Sequence, residues 1–217
     1  MEEFNSKQVE KTLKLLIEKL ENLNIEYRLL GSVTAASLLG KQHRKLGDLD
    51  FIIDKKKSDI LFKELQTIGF TQKKGMFSFA RKYLALEELV HHDFLEVGFF
   101  LGNFMDNNDF FLGSKKYGVR IDATALGPEK MQLYGINFLS ISKGAILRGI
   151  LMSKSNPKRK KELELLADKK ITPLEKNYIH VYLFGFKMDF IYYSAMRILD
   201  LLGKLRIRFG LAYDPWR

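Results

Sequence analysis

The 217 residues are 46% apolar, which excludes a disordered chain and suffices for one sizeable core, or for an α/β domain with a smaller helical companion. Cysteine is absent, so disulfides and thiolate zinc sites are excluded and a reducing cytoplasm is the expected setting. No membrane span or leader is expected either, since no long uncharged apolar run exists and Met1-Glu2-Glu3-Phe4 opens without a basic region. A formal charge of +10, from 36 Lys and Arg against 26 Asp and Glu, favours polyanionic partners through phosphate neutralisation.

In chain order, Val9, Leu13, Leu16, Leu20 and Leu23 recur at spacings of four and three and predict a first helix, with Ser6 as its N-cap. Ile25 to Leu30 predicts a strand ending at Gly31. A short helix over Val33 to Leu39, a polar loop from Gly40 to Gly47, and a buried strand from Asp48 to Ile53 follow, stopped by Asp54-Lys55-Lys56-Lys57. Ser58 is placed to cap a helix through Ile60, Leu61, Leu65 and Ile68 that closes at Gly69.

From Phe70 to about Phe138 the texture is that of strands, over Met76 to Lys82, Asp93 to Leu101, Phe110-Phe111 and Val119 to Leu126, joined by turns at 106–109 and Gly127-Pro128. Beyond Leu139 the pattern turns helical, through apolar Ile141 to Met152, basic Lys154 to Lys161 and apolar Leu163 to Ala167, with Pro173 at a helix start. Tyr178 to Leu205 predicts one or two packed helices that bury Tyr178, Tyr182, Phe184, Phe186, Phe190, Tyr192 and Tyr193, and Trp216 is expected to anchor the end. The expected organisation is an α/β (α+β) domain over residues 1–130 and a helical domain over 131–217, with a loop near residues 127 to 140 as the boundary.

Gly31-Ser32 falls where a strand hands over to a helix. Backbone N–H groups and the positive end of the helix dipole face such a turn, which suits a triphosphate. Asp48 and Asp50 are two apart on a strand, so both carboxylates project from one face while Leu49 and Phe51 project from the other. Carboxylates so close repel unless a cation lies between them, and magnesium prefers such oxygen ligands and shares them with substrate phosphates. Asp54 has the same parity but lies in the charged turn and reads as solvated.

The combination of a Gly-Ser turn, a short helix, a loop and an apolar strand opening with Asp-x-Asp resembles the defining motif of the nucleotidyltransferase superfamily that includes DNA polymerase β-like enzymes. More closely, Gly31-Ser32-Val33-Thr34-Ala35-Ala36-Ser37-Leu38-Leu39 with Gly40-Lys41-Gln42-His43-Arg44-Lys45-Leu46-Gly47-Asp48-Leu49-Asp50-Phe51 resembles the AbiEii family (DUF1814) over residues 25–54. The resemblance implies a nucleotidyltransferase-fold mixed sheet flanked by helices and followed by a C-terminal helical bundle. It also implies transfer of an NMP from an NTP with Mg2+ or Mn2+, in a toxin with an antitoxin protein as partner. Gly31 and Ser32 then stand at the phosphates and Asp48 and Asp50 at the metals. Arg44 and His43 lie in the loop before the metal strand, Arg44 within reach of phosphate and His43 read as a surface histidine.

Members of the superfamily supply a third acid from a later strand. Glu96 is the best placed here and Asp93 second, while Gly98 stands where an Asp is expected in an alternating Glu-x-Asp. A second AbiEii-like motif, a helical Lys followed by Lys-Asp-x-x-Asp, finds Lys143 for the lysine, as a phosphate contact, and Lys161-Glu162 with Leu165 in place of the last acid. The basic run from Lys154 to Lys161 is a candidate tRNA contact. The expectation is an enzyme whose acceptor is RNA, a protein hydroxyl or a small molecule such as an aminoglycoside or lincosamide. The basic charge tilts this toward RNA. The alternative is a catalytically degenerate binding module, suggested by Gly98 and Leu165.

Overall fold

The apolar stripe of the first segment folds as helix α1 (Ser6–Asn22), whose Val9, Leu13, Leu16, Ile17 and Leu20 are buried. The helix starts one residue earlier than expected. Asn5 is the N-cap and makes no capping bond; its side chain instead donates to the Leu46 carbonyl at 2.8 Å and accepts from the Leu46 amide at 3.2 Å, fastening α1 to the loop before the Asp-x-Asp strand. The computed structural model describes residues 5–73, 85–113, 117–154 and 156–208, so the strand expected over Met76 to Lys82 and the anchor at Trp216 lie outside it.

The next elements follow the predicted order: β1 (Tyr27–Leu30), α2 (Ser32–Leu39), β2 (Asp48–Asp54) and α3 (Ser58–Thr67). A strand-rich stretch gives β3 (Thr71–Gln72), β4 (Leu86–Val90), β5 (Glu96–Phe104), β6 (Phe110–Gly113) and β7 (Tyr117–Ile121), then a single helical turn, α4 (Ala123–Leu126). Beyond it lie β8 (Glu129–Leu133), β9 (Ile136–Ser140), α5 (Lys143–Met152), α6 (Pro157–Leu166), β10 (Ile179–Leu183), β11 (Phe186–Lys187) and α7 (Asp189–Arg208).

These strands form one mixed sheet in the order β11-β10-β7-β6-β5-β2-β1-β9-β8. The β2–β5 and β1–β9 pairs are parallel and the others antiparallel. Strand β5 pairs β4 through residues 97–100 and β6 through residues 102–104 along one edge, so the sheet forks there. On one face Leu49, Phe51 and Ile53 meet Leu29, Val97 and Phe99 beneath α1 and α3, in the main core. Phe51 and Phe99 stack at 5.5 Å between ring centroids, and Phe62 of α3 closes edge-on over Phe99 at 5.6 Å. On the other face Ile52 packs with Phe110, Leu112 and Leu126 in a smaller core. That leaves Asp48 and Asp50, further up the same face, beyond the apolar cover.

Two corrections concern the second half. The stretch from 127 to 140, expected as a boundary loop, is the β8–β9 hairpin, and it adds to the sheet beside β1; the 130/131 division falls inside β8. Residues 178–187, expected as helix, are the β10–β11 hairpin on the opposite edge, and Pro173 opens no helix. Both hairpins close through two-residue turns, Tyr134-Gly135 and Phe184-Gly185, with all four residues at positive φ. Such turns are signalled in sequence by Asn-Gly or Asp-Gly, and a bulky residue at the first position hides them. Phe184 and Phe186 therefore stand on a hairpin tip and are exposed, as is Phe190 on α7, whereas Tyr178 is buried as expected.

Helix α7 is fastened to the sheet by one buried side chain. His180 of β10 has Nδ1 2.7 Å from Asp189 of α7 and Nε2 3.0 Å from Asp122 at the end of β7. Burial alone would raise the Asp189 carboxyl, but the His180 ring and Lys187 outweigh it and hold the group below its ordinary value. His180→Leu leaves two half-buried carboxylates without their shared partner. The expected result is a loss of about 2 kcal/mol in urea unfolding, with faster tryptic cleavage within α7; unchanged unfolding would show that the ring does not hold the helix.

Candidate active site

The turn from β1 into α2 is shaped by Gly31, whose φ of 81° and ψ of −151° lie in a region that only glycine adopts without strain. Register brings this turn to the Asp-x-Asp strand, since Leu30 pairs Asp50. A Cβ at position 31 would sit 3.0 Å from Asp50 Oδ2, so the absent side chain is also what lets the carboxylate lie beneath the turn.

The parallel ladder between β2 and β5 sets Asp48 beside Glu96 and Asp50 beside Gly98, and the antiparallel β4 sets Glu88 on the other side of Gly98. Asp48, Asp50, Glu96 and Glu88 therefore share one face of three adjacent strands. The vacancy expected at position 98 is not one: a Cβ there would lie 2.7 Å from Asp50 Oδ1, so the Asp50 carboxylate itself fills that space. Glu96 is thus the third acid that the sheet brings to the pair. Its carboxylate accepts a hydrogen bond from Lys73, whose ammonium also lies 3.9 Å from Glu88. Asp93, the second candidate, stands outside the strand and pairs with His92 at 3.2 Å.

Among the described residues, neither Asp48 nor Asp50 accepts a side-chain hydrogen bond or forms an ion pair. Burial, with the neighbouring Asp48, Glu88 and Glu96 charges, pushes Asp50 up to about 7. Burial and Glu96 likewise raise Asp48, against Arg44, Arg159 and Lys73. Buried like charges with no donor to offset them, all oxygen and neither imidazole nor sulfur, fit a hard divalent cation such as Mg2+ or Mn2+. Among the described residues, the group of three whose side-chain ligand atoms already lie close enough together to share an ion is His91-His92-Asp93, and it does not fit one. The His91 ring accepts the Asp93 amide at Nδ1, 3.0 Å, and has Nε2 3.1 Å from the Ile68 carbonyl, so both nitrogens are engaged.

The opposite wall is basic. Arg44, in the loop before β2, donates to Ser32 Oγ at 2.6 Å and to Glu162 Oε1 of α6 at 3.0 Å through the same terminal nitrogen. Glu162 is fully buried and also accepts from Arg159 at 2.6 Å, while His43 Nε2 approaches it to 3.4 Å. Burial alone would raise Glu162, but His43, Arg159 and Arg44 together bring it down to about 2. His43, read from sequence as a surface residue, is buried in this cluster. Lys143 pairs with Glu129 at 3.4 Å and Leu165 is exposed. Asp54, read as solvated, is partly buried and caps the turn that follows, accepting from the Lys56 amide at 2.8 Å. Sequence reasoning passed over Glu88 and Lys73, because Leu86-Glu87-Glu88-Leu89-Val90 carries too much charge to stand out as a strand, and it read Arg159 only as part of a basic run.

A sequence model described as aminoglycoside-2''-adenylyltransferase matches residues 12–94, the stretch that holds the Gly-Ser turn, Asp48, Asp50 and Glu88 and stops just short of Glu96. Among curated proteins, none matches the chain in sequence. Among solved structures, the chain resembles the lincosamide antibiotic adenylyltransferase LnuA in its lincomycin-bound form. The TM-score is 0.59 and the identity 18%, over 74% of this chain and 97% of that one. It also resembles ANT(2'')-Ia in complex with adenylyl-2''-tobramycin, with a TM-score of 0.54 and 12% identity over 92% of this chain and 99% of that one. The fold is that of nucleotidyltransferases, a mixed sheet flanked by helices as expected. The superfamily read from the motif is supported, while the AbiEii-like assignment stays a resemblance of residues 25–54.

Two consequences of the Asp50 environment are measurable. A carboxyl raised in the folded state binds its proton more readily folded than unfolded, so in metal-free buffer its contribution weakens the fold as pH climbs from about 4 toward 7. Asp50→Asn removes that loss. In chelator at pH 8 the variant is expected to be more stable than the parent by on the order of 2 kcal/mol, the gap closing toward pH 4; parallel pH profiles would refute the repulsion. Gly98→Ala is expected to displace the carboxylate and to reduce any magnesium-dependent rise in melting temperature, with a smaller change in the metal-free melt.

Proposed function

We propose that the protein transfers a nucleoside monophosphate from an NTP, most simply AMP from ATP, to a hydroxyl of a small acceptor of the aminoglycoside or lincosamide kind. The observation that carries the reading is the juxtaposition of Asp48, Asp50 and Glu96 on one face with the Gly31-Ser32 turn above Asp50. Its support on the acceptor side is the adenylyltransferase model over residues 12–94 and the likeness to two antibiotic adenylyltransferases. The formal charge of +10 does not oppose a cationic acceptor, because the face that would meet it carries Asp48, Asp50, Glu88 and Glu96.

Asp48 and Asp50 would hold Mg2+ or Mn2+, which when bound neutralises triphosphate charge and makes the reacting oxygens easier to hold in line. The Gly31 backbone lets the triphosphate approach the turn, and Arg44 beside Ser32 adds a positive charge there. Glu96, kept in place by Lys73, accepts the proton of the acceptor hydroxyl. The hydroxyl oxygen then bonds to the α-phosphorus, the bond from that phosphorus to the bridging β-phosphate oxygen breaks, and pyrophosphate leaves.

One observation favours a second acceptor, RNA in the AbiEii-like manner: Lys158, Lys160 and Lys161 are exposed along α6, and Lys154 just before it. Incubation with each α-labelled NTP and magnesium, against aminoglycosides, lincosamides and total RNA, separates the readings. Label is expected in a small molecule, falling by a hundredfold or more, roughly, in Asp48→Ala and Asp50→Ala and by about a hundredfold in Glu96→Gln. Label in RNA would select the second acceptor. No label with any pair would overturn the proposal in favour of a degenerate binding module.

A further inference from the structure

Helix α6 lies against α2, and the residues it turns inward are not those of a solvated basic face. Glu162 is fully buried, and its two oxygens serve different cations. Oε1 accepts from Arg44, whose terminal nitrogen at the same time donates 2.6 Å to Ser32 Oγ; Oε2 accepts from Arg159 at 2.6 Å. One carboxylate therefore sets two guanidinium groups side by side next to the phosphate turn. Arg44 is nearly saturated, since it also donates to the Lys45 carbonyl at 3.1 Å. Arg159 is not: of its five N–H groups one is engaged by Glu162, and among the described residues the other four donate to nothing. Its side chain is about one-fifth exposed, so these donors are neither dispersed in solvent nor covered by protein.

We propose that Arg159 is a phosphate-binding residue for the β- and γ-phosphates of the NTP, and that Glu162 is a positioning residue that holds Arg159 and Arg44 in one orientation at the Gly31-Ser32 turn. This rests on the function proposed above. A planar guanidinium with four unused donors suits the oxygens of a pyrophosphate unit, with which it forms paired, charge-assisted hydrogen bonds. The carboxylate wall and the arginine wall then divide the substrate between them, the metal and α-phosphorus on the strands and the departing pyrophosphate on the helices. Positioning by Glu162 also explains why a buried acid stands beside a site for an anion, where its charge by itself opposes binding. Fixing two long side chains before the ligand arrives lowers the ordering cost of binding, and no uncharged side chain of that size engages both guanidiniums as strongly.

The test uses the whole chain and measures Mg-pyrophosphate, Mg-ATP and AMP binding by calorimetry, beside melting temperatures. Arg159→Gln is expected to weaken Mg-pyrophosphate and Mg-ATP by about 10- to 100-fold while leaving AMP unchanged, and Arg159→Lys to recover part of the loss. Glu162→Gln separates positioning from bulk electrostatics. Removing a negative charge beside an anion site tightens pyrophosphate if the carboxylate is merely nearby, and weakens it if the carboxylate orients the arginines; weakening is expected. Parental pyrophosphate affinity in a folded Arg159→Gln variant overturns the inference, as does tighter binding in Glu162→Gln. Should Glu162→Gln not fold, the Arg159 pair decides the question alone. A wild-type chain that binds neither Mg-pyrophosphate nor any Mg-NTP overturns the functional reading itself, a result distinct from every outcome of the variants.

Discussion

A buried carboxylate without a donor needs room and a counter-charge, and in this protein the room comes from two missing Cβ atoms. Asp50 lies between Gly31 above and Gly98 beside it, with its two oxygens 3.0 and 2.7 Å from where their side chains would begin. The backbone of the turn, the register of β1 on β2 and the parallel pairing of β2 with β5 all converge on that space. The same geometry leaves the carboxylate proton-hungry, pushed up to about 7 by burial and by three neighbouring acids. Such a group destabilises the fold that holds it, which is the usual relation between a functional site and its scaffold.

Charge is distributed in walls rather than spread over the molecule. A chain of net charge +10 presents an acidic face at the ends of β2, β4 and β5. A cationic layer from the pre-β2 loop and α6 stands opposite it. The layer is ordered by Glu162, buried among three cationic or ionisable partners, so the mean charge of the chain says little about the substrate that meets it. Local field, set by which side chains the sheet and helices align, decides what is attracted to that face.

Much of the first half was legible because its signals are local. The 3.6-residue stripe of α1, the strand-to-helix glycine and the period-two carboxylates of β2 each follow from neighbours in sequence, and the fold class and the Asp48/Asp50 pair followed from them. That Glu96 stands in a strand was also readable, from the apolar residues flanking it. Less legible were elements whose cues depend on context. The β4 strand carries two adjacent glutamates, and the two hairpins turn on Tyr-Gly and Phe-Gly, so alternation that spans a strand pair was taken for helix in residues 178–187 and for loop near residues 127 to 140.

By itself, then, the sequence determined the glycine turn, the strand that opens with Asp48 and Asp50, and the later strand on which Glu96 stands, since each is written within a few residues and obeys a fixed backbone period. Tertiary structure alone decided what Gly98 is for, because the space it leaves is filled by a side chain 48 residues earlier, from the adjacent strand. It alone decided that His43 and Glu162 are buried together, and that Arg44 touches Ser32. These are contacts between segments brought together by packing, and a period along one segment holds no information about the partner that faces it from another.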